Sequence, residues 1–368
     1  MKILINCSNL KAGGGIQVAD SICRNLNQFP HLDFLVVLSE HLCYLTAEID
    51  AFQNVKVIKY NSNNGIKVLM TGRDEMLDNL VSQHHIDIVF SVFGPITWTP
   101  RCPHFCGFAR PHLVLENSPY YTRMGFLQRQ ISYLQNRILT FFFCRGVSAF
   151  FTENQYITDK WKKKSKKPVY TVTNYYNQVY DNPDEWKECR IPPYDGLTLL
   201  CITAKYPHKN LEIAIDILNI LKAKKSTLNI RFVFTINEHE YPALPEQLQS
   251  HFLFLGKKAV NECPSLYRQA DIMFQPTLLE CFTATYPEAM KMEVPILTTD
   301  LEFARGLCGD AALYYSPLSA EDAVCKIEQL ATDSALRVRL VAAGKEQLRR
   351  YDNYQQRVEK LIYLLENL

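Results

Sequence analysis

Two carboxylates and a proline stand close together in the stretch ECFTATYPEAM. Glu280 and Glu288 have seven residues between them, and Pro287 comes just before the second. Proline is tolerated in the first turn of a helix, because its missing N–H has no intrahelical acceptor there. We therefore predict a helix that begins near Thr283 or Ala284, with Glu280 on the preceding loop and Glu288 about one turn inside the helix.

The start of this predicted helix is suited to an anion. The first N–H groups of a helix lack intrahelical acceptors, and the helix dipole favours negative charge beside them. We expect the amides of Phe282, Thr283 and Ala284 to hold a diphosphate between two carboxylates that bind hydroxyl groups. The alternative is a capped helix with two surface glutamates.

A turn rich in positive charge lies in ITAKYPHKNLEIAIDIL, residues 202–218. The pattern predicts a strand that ends at Thr203 and a helix that begins near Asn210, a residue type that often caps helices. Lys205 and Lys209 lie between them, where cations would stabilise a departing diphosphate. The alternative is an ordinary basic turn.

Two series of short apolar runs, separated by helical patterns, must position these stretches. The first series is ILIN, FLVVL, VKVI, IDIVFSV and AFFT, and the second is LTLLCIT, IRFVFTI, FLFLG, DIMFQP, VPILTT and AALYYS. Such alternation predicts an α/β fold with two Rossmann-like, doubly wound domains. Ligands bind at the carboxyl edges of such sheets, so we expect a cleft between the domains.

The predicted domains follow the composition of the chain. We expect an N-terminal domain over 1–180, a linker over 181–196 that is rich in proline and charge, and a C-terminal domain over 197–350. A last helix over 351–368 would pack back on the N-terminal domain.

A loop of three glycines, Gly13, Gly14 and Gly15, follows the first apolar run. Glycine lets the backbone approach a ligand closely. The spacing is not that of a dinucleotide-binding loop.

The bulk composition excludes several classes of protein. The net charge of +2 gives no global sign of nucleic-acid binding, and no apolar run is long enough to span a membrane. The 12 cysteines show no repeated metal-ligand spacing, and no Asp-x-Asp metal pair stands out. We therefore expect reduced thiols, no bound metal, no cofactor and a cytoplasmic protein.

The second half of the chain resembles the retaining glycosyltransferases of the GT-B fold, of the family-four type. The similarity rests on LYRQAD at 266–271, QPTLLE at 275–280, PEAM at 287–290 and GDAALYYSP at 309–317. It is strong over about 197–350, whereas the N-terminal half matches through its glycine loop and general pattern alone.

The resemblance implies a role for each matching residue. Glu288 would bind the ribose of the nucleotide, Glu280 would contact the donor sugar, and Lys209 would contact phosphate. Lys205 stands near a position where many members carry arginine. Thr283 stands where the family usually has glycine, so backbone amides would have to serve there.

The resemblance also implies residues of the N-terminal domain. Gly14 and Gly15 match the loop that faces the diphosphate and the acceptor. Many members place a histidine close to the transferred sugar; His112 is the preferred candidate here and His104 the second. Arg110 would lie on the same acceptor side.

Residues 101–170 are unusually basic, with twelve Lys or Arg, three Asp or Glu and a local net charge of +9. They include WKKKSKK and the helical pattern RMGFLQRQISYLQNRILTFFF. Such a region could contact anionic lipid at the inner face of a membrane. The alternative is a solvated lysine loop beside an ordinary core helix.

The function that follows from the resemblance is retaining, metal-independent hexosyl transfer in surface polysaccharide synthesis. The donor would be a UDP- or GDP-linked sugar, and the acceptor a glycan or a lipid-linked glycan. A sugar-nucleotide epimerase or hydrolase of the same fold, and a non-catalytic subunit that binds nucleotide sugars, are the alternatives.

Overall fold

The computed structural model describes residues 1–11, 13–61 and 65–368. Its contacts divide the chain into two compact units. Unit 1 comprises Met1–Glu116, Met124–Asn174 and Asp352–Leu368, and unit 2 comprises Asn117–Arg123 and Tyr175–Tyr351.

Each unit contains one parallel sheet. The strands of unit 1 are β1 (Lys2–Cys7), β2 (Asp33–Leu38), β3 (Val55–Lys59), β4 (Ile88–Ser91), β5 (His104–Gly107), β6 (Ala149–Thr152) and β7 (Val169–Thr171). The strands of unit 2 are β8 (Leu197–Cys201), β9 (Ile230–Phe234), β10 (Phe252–Phe254), β11 (Ile272–Gln275), β12 (Ile296–Thr299) and β13 (Ala312–Tyr315).

Helices connect the strands along the chain. The first six are α1 (Gly14–Cys23), α2 (Thr46–Ile49), α3 (Gly65–Thr71), α4 (Glu75–Gln83), α5 (Phe126–Arg145) and α6 (Gln155–Ser165). The others are α7 (Ile213–Ala223), α8 (Cys263–Tyr267), α9 (Thr285–Lys291), α10 (Glu302–Cys308), α11 (Ala320–Thr332), α12 (Ser334–Leu348) and α13 (Tyr354–Glu366).

The strand order of both sheets reverses beside the first strand of each. It is β3-β2-β1-β4-β5-β6-β7 in unit 1 and β10-β9-β8-β11-β12-β13 in unit 2. The loops after β1 and β4, and those after β8 and β11, therefore diverge at a topological switch point. The prediction of two Rossmann-like domains is confirmed, and β5 and β7 are strands that the apolar runs did not reveal.

The short apolar runs form strands whose side chains are buried on both faces of the sheet. In β1, β2 and β4 nearly every side chain is buried, as expected for a parallel sheet covered by helices on both faces. The same holds for β9 and β11 in unit 2.

The C-terminal helix α13 belongs to unit 1. Val358, Leu361, Ile362 and Leu365 are buried in the core cluster that contains β1 and α1. The stretch that precedes β8 belongs to unit 2, where Lys187 N donates to Asn261 O at 2.8 Å.

Candidate functional site

Two loops meet at the switch point of unit 2. The turn Pro207–Lys209 follows β8, and the loop that contains Glu280 follows β11, the neighbouring strand. Leu278 N donates to His208 O at 2.8 Å, and Thr277 Oγ1 lies 3.4 Å from the same carbonyl oxygen. These contacts hold the two loops together at the carboxyl ends of their strands.

A buried ion pair lies where the loops touch. Lys209 Nζ forms a salt bridge with Glu280 Oε1, and the two side chains are only 13% and 12% exposed. Thr277 Oγ1 donates to the same carboxylate oxygen at 3.1 Å. The pair places a cation and an anion side by side at the sheet edge, so a ligand there would meet both charges.

The loop before α9 is fixed by its own side chains. Gln275 Nε2 donates to Thr285 Oγ1 at 3.2 Å, and the hydroxyls of Thr283 and Thr285 lie 2.9 Å apart. Thr283 is buried, so its side chain points into this network. Helix α9 begins at Thr285, one residue after the later of the two predicted starts, and Ala284 precedes it without a side-chain capping bond.

Glu288 lies in α9, buried beneath the loop. Tyr267 OH donates to Glu288 Oε2 at 3.1 Å, and the Tyr180 hydroxyl lies close to the same carboxylate. Burial raises the pKa of Glu288 from 4.5 to about 7, although the two hydroxyls favour its charged form. A carboxyl group with such a pKa changes its charge near neutral pH, and such groups are common at functional sites.

Aromatic rings surround the basic turn. The Tyr206 ring stacks on His208 with a centroid distance of 5.6 Å, and Tyr120 approaches the same imidazole edge-on at 6.3 Å. Burial lowers the pKa of His208, with Glu280 opposing and Lys209 adding to the effect. Ser118 Oγ donates to Leu278 O at 2.6 Å, which fixes the segment carrying Tyr120 against the loop after β11.

Lys205 and Phe282, also predicted for this site, have other partners. Lys205 Nζ bonds to Glu212 Oε1 at 2.6 Å and lies over the Tyr241 ring. The Phe282 ring contacts Tyr351 edge-on at 6.3 Å. The structure thus joins Lys209, not Lys205, to Glu280.

The predicted cap at Asn210 is wrong. Asn210 is fully buried with φ of 54°, and α7 begins three residues later, at Ile213. The left-handed backbone ends the short turn Pro207–Lys209, and asparagine tolerates that conformation better than most residues.

In unit 1 the glycine loop leads directly into α1. Gly13 has φ of 72°, and Gly14 and Gly15 are the first two residues of the helix. A Cβ atom on Gly14 would meet nothing within 4 Å, whereas one on Gly15 would lie 3.3 Å from Leu10 Cδ2. Gly14 therefore presents an open backbone surface, and Gly15 is packed.

His112 and Arg110 lie on the loop after β5. His112 is half-buried in the short turn Pro111–Leu113, and its carbonyl accepts from Asn136 Nδ2 of α5 at 3.1 Å. Arg110 is exposed at the start of that turn. Both occupy the carboxyl end of a strand, where ligands of such sheets bind.

His104 has a structural environment in β5 and is only 1% exposed. Its Nδ1 lies 2.9 Å from Gly146 O, and its Nε2 lies 2.8 Å from Ser91 Oγ. The carbonyl can only accept, so Nδ1 carries the proton and Nε2 accepts from the serine. Because the ring is buried and both its nitrogens have partners, His104 does not fit the acceptor side; burial also lowers the pKa of His104 to about 4.

Sequence reasoning missed several residues of the site. Tyr267 lies in the LYRQAD motif, which drew attention to the segment but not to the tyrosine's bond to Glu288. No signal in the sequence pointed to Tyr180 or Tyr120, because both are far in sequence from the site residues that they approach, Glu288 and His208. Within the described parts of the chain, no group of three or more His, Cys, Asp or Glu could hold a metal ion.

A comparison with family models gives a match in the second half of the chain. Residues 184–347 match the family described as "Glycosyl transferases group 1". This stretch of the chain is therefore similar to the group 1 glycosyl transferases. The matched region contains both glutamates, Lys209 and the loops around them, whereas Ser118, Tyr120 and Tyr180 lie outside it.

Solved structures show that the whole chain has the fold of GT-B glycosyltransferases. A glycosyltransferase from Rickettsia africae superposes with a TM-score of 0.70 at 13% identity, covering 100% of this chain and 97% of the other. Anabaena HepE, in complex with UDP-glucose, gives 0.68 at 14% identity with 100% of both chains covered. WaaG, a glycosyltransferase involved in lipopolysaccharide biosynthesis, gives 0.66 at 16% with 98% of both covered.

The search of curated proteins gave no significant match. No helix among the described residues is long and apolar enough to cross a membrane.

Proposed function

We propose that this chain is a group 1 glycosyl transferase, a retaining enzyme that moves a hexose from a nucleotide-diphosphate sugar to a glycan or a lipid-linked glycan. The observation that carries the proposal is the Lys209–Glu280 pair at the switch point of unit 2, inside the family region. A cation beside a carboxylate offers contacts to the two parts of such a donor, the phosphates and the sugar hydroxyls.

The proposed donor site is built on α9 and the turn after β8. Glu288 binds the ribose hydroxyls, and Glu280 binds the donor sugar near the carbon that reacts. Lys209 and the amides of Phe282, Thr283 and Ala284, on the segment that leads into α9, stabilise the diphosphate as it leaves. Lys205, which is paired with Glu212, is a second cation beside the diphosphate in this proposal.

The proposed acceptor side lies on unit 1. Gly14 offers an open backbone surface, and His112 and Arg110 occupy the end of β5. We assign His112 to the transferred sugar and Arg110 to the acceptor. His104 is omitted, because its ring is buried and both nitrogens have partners.

A UDP-linked sugar is the leading donor, and a GDP-linked sugar is the second. The structural similarity to HepE, whose crystals hold UDP-glucose, supports the first choice. A role in surface polysaccharide synthesis is supported by the similarity to WaaG, which is involved in lipopolysaccharide biosynthesis. The proposal also includes a cytoplasmic location at the inner face of the membrane.

The test is an activity screen with UDP- and GDP-sugars, with and without oligosaccharide and polyprenyl-linked acceptors. Release of nucleoside diphosphate only with an acceptor, an α-linked product from an α-linked donor, and activity in EDTA support all parts of the proposal. A β-linked product contradicts retention, and loss of activity in EDTA contradicts metal independence.

An epimerase or a hydrolase would convert the donor without any acceptor, so the reaction without acceptor separates these alternatives. A non-catalytic subunit would bind the donor and leave it unchanged under every condition. Substitution of Glu280 by Gln provides the control for background hydrolysis, because it alters the proposed sugar contact.

A further inference from the structure

Helix α5 carries a continuous apolar stripe that faces away from unit 1. Leu127, Ile131, Leu134, Ile138 and Phe141 are exposed by 76, 58, 58, 50 and 66%. Their spacing alternates between four and three residues, which places them in one line along a helix. We call these five residues the α5 stripe; α5 has 20 residues, a length of about 30 Å.

The opposite face of α5 holds the helix to unit 1. Phe143 is the one residue of α5 that is fully buried, and its ring lies 5.1 Å from Phe150 and 5.9 Å from Trp161. Asn136 donates to His112 O. On a helical wheel, both residues lie about half a turn from the α5 stripe. The residues of the α5 stripe therefore do not contribute to the packing of the helix on unit 1.

The charged residues of helix α5 itself have a single sign, and of the nearby lysines Lys164 is paired with Glu116. Helix α5 contains Arg129, Arg137 and Arg145 and neither Asp nor Glu. At its C-terminal end, Lys164 and Lys167 lie close enough to Cys144 to act on its thiol electrostatically. These lysines belong to WKKKSKK, whose Lys162, Lys163 and Lys166 are exposed.

This charge pattern distinguishes between two possible partners of the α5 stripe, a second copy of α5 and a lipid bilayer. The alternating spacing would also suit pairing with a second copy of α5. That pairing would bring arginines together with no carboxylate on either helix, and like charges oppose association. An anionic bilayer surface instead satisfies the apolar side chains in its interface and the cations in its headgroup layer.

We propose that the α5 stripe is a membrane-docking surface, which inserts in the plane of an anionic lipid interface while the nearby Arg and Lys side chains contact headgroups. The proposal goes beyond glycosyl transfer and does not depend on the donor assignment, because it rests on unit 1 alone. It predicts that both apolar insertion and charge are needed for binding.

The test is co-sedimentation of the full chain with lipid vesicles. We expect binding to vesicles of phosphatidylcholine and phosphatidylglycerol in equal parts, and much weaker binding to phosphatidylcholine alone. The double variant Ile131→Asp, Ile138→Asp should reduce the bound fraction about 10-fold or more, because it places carboxylates in the apolar interface.

The matched control is the double variant Met70→Asp, Val338→Asp. These side chains are also apolar and exposed, by 69 and 71%, and they lie on α3 and α12. The charge change is the same, so a general loss of positive charge would weaken both variants equally. Circular dichroism checks that both remain folded.

Three results would overturn the proposal. Wild-type protein that fails to bind the anionic vesicles is one, and equal binding by the two double variants is another. The third is a wild-type dimer in sedimentation velocity that ignores vesicles and dissociates in the Ile131→Asp, Ile138→Asp variant, which would assign the α5 stripe to self-association.

Discussion

Lys209 and Glu280 form a largely buried salt bridge although they are 71 residues apart in the sequence. The contact exists because their loops follow β8 and β11, which are neighbours in the sheet of unit 2. A pair in this position bears both on the stability of unit 2 and on the proposed chemistry.

The two charges should be strongly coupled. Lys209→Met or Glu280→Gln alone leaves one partner largely buried and unpaired, whereas the double variant removes both charges. We expect a double-mutant cycle in urea unfolding to give a coupling free energy of about 1–3 kcal/mol.

The exposed pair Lys345–Glu293, with side chains 55% and 56% exposed, is the matched control. Its coupling should stay below about 1 kcal/mol, because solvent screens exposed charges. Equal coupling for the two pairs would refute the distinction that we draw between them.

Glu288 should make the stability of the unliganded protein depend on pH. Its pKa is about 7 in the folded state and 4.5 ordinarily, so the native protein holds the proton over a window in which the unfolded chain has released it. The resulting stabilisation is fully present below pH 4.5 and is lost as the pH rises through 7.

Urea unfolding at the two ends of that window measures the effect. The wild type should lose about 2–3 kcal/mol more than Glu288→Gln on going from the acid to the neutral end. Glu153, whose pKa burial also raises to about 7, contributes the same trend to both proteins and cancels in the comparison. Glu359→Gln, at an exposed position of α13, is the control and should lose as much stability as the wild type does. If the free energy of unfolding of Glu288→Gln changes with pH as much as that of the wild type, the raised pKa of Glu288 is contradicted.

Arg357 should be essential for the docking of α13 on unit 1. Its guanidinium is buried, contacts Asn174 Oδ1 and donates to Ser21 Oγ of α1 at 2.8 Å. Burial lowers the pKa of Arg357 to about 10, while the nearby Glu153 carboxylate opposes the shift.

Arg357→Met would leave Glu153 buried without its counter-charge, so we expect a loss of about 3–5 kcal/mol in the free energy of unfolding. Adding Glu153→Gln should recover a large part of it. The exposed Arg349, substituted by Met, should cost no more than about 0.5 kcal/mol. A destabilisation by Arg357→Met that Glu153→Gln leaves unchanged would show that the two charges are not coupled.

Gly14 should separate stability from activity. A Cβ atom fits there without contact, and alanine favours a helix start more than glycine does, so Gly14→Ala should keep or slightly raise the melting temperature. If the backbone faces the substrates as proposed, the same methyl group should lower kcat/KM about 10-fold or more. Unchanged kinetics would remove Gly14 from the site.

The sequence predicted the local features of unit 2 because they depend on near neighbours. Pro287 placed the start of α9 to within two residues, and the carboxylates fell where expected, one before and one inside the helix. The pairing of Lys209 with Glu280 could not be predicted from the sequence, because it depends on which strands are adjacent in the sheet. The bond from Tyr267 to Glu288 has the same origin in tertiary structure.

Strand β5 of unit 1 was not predicted, because it begins with a polar residue that is buried. Strand β5 begins with His104, a residue type that suggests a surface or a site. Two hydrogen bonds, one that Nδ1 donates to Gly146 O and one that Nε2 accepts from Ser91 Oγ, satisfy the ring and let it be buried in the sheet. The pattern of apolar residues could not show those partners, because Gly146 is 42 residues away.

The donor site is the central claim, and calorimetric titration of UDP and GDP into wild-type, Glu288→Gln and Glu280→Gln protein tests it most directly. We predict that the wild type binds one of the two nucleotides. Glu288→Gln should raise the Kd about 10-fold or more, because it loses hydrogen bonds to the ribose. Glu280→Gln should change the Kd little, because the sugar that Glu280 contacts is absent from UDP and GDP. The same affinity in Glu288→Gln as in the wild type, or no binding of either nucleotide, would contradict the account.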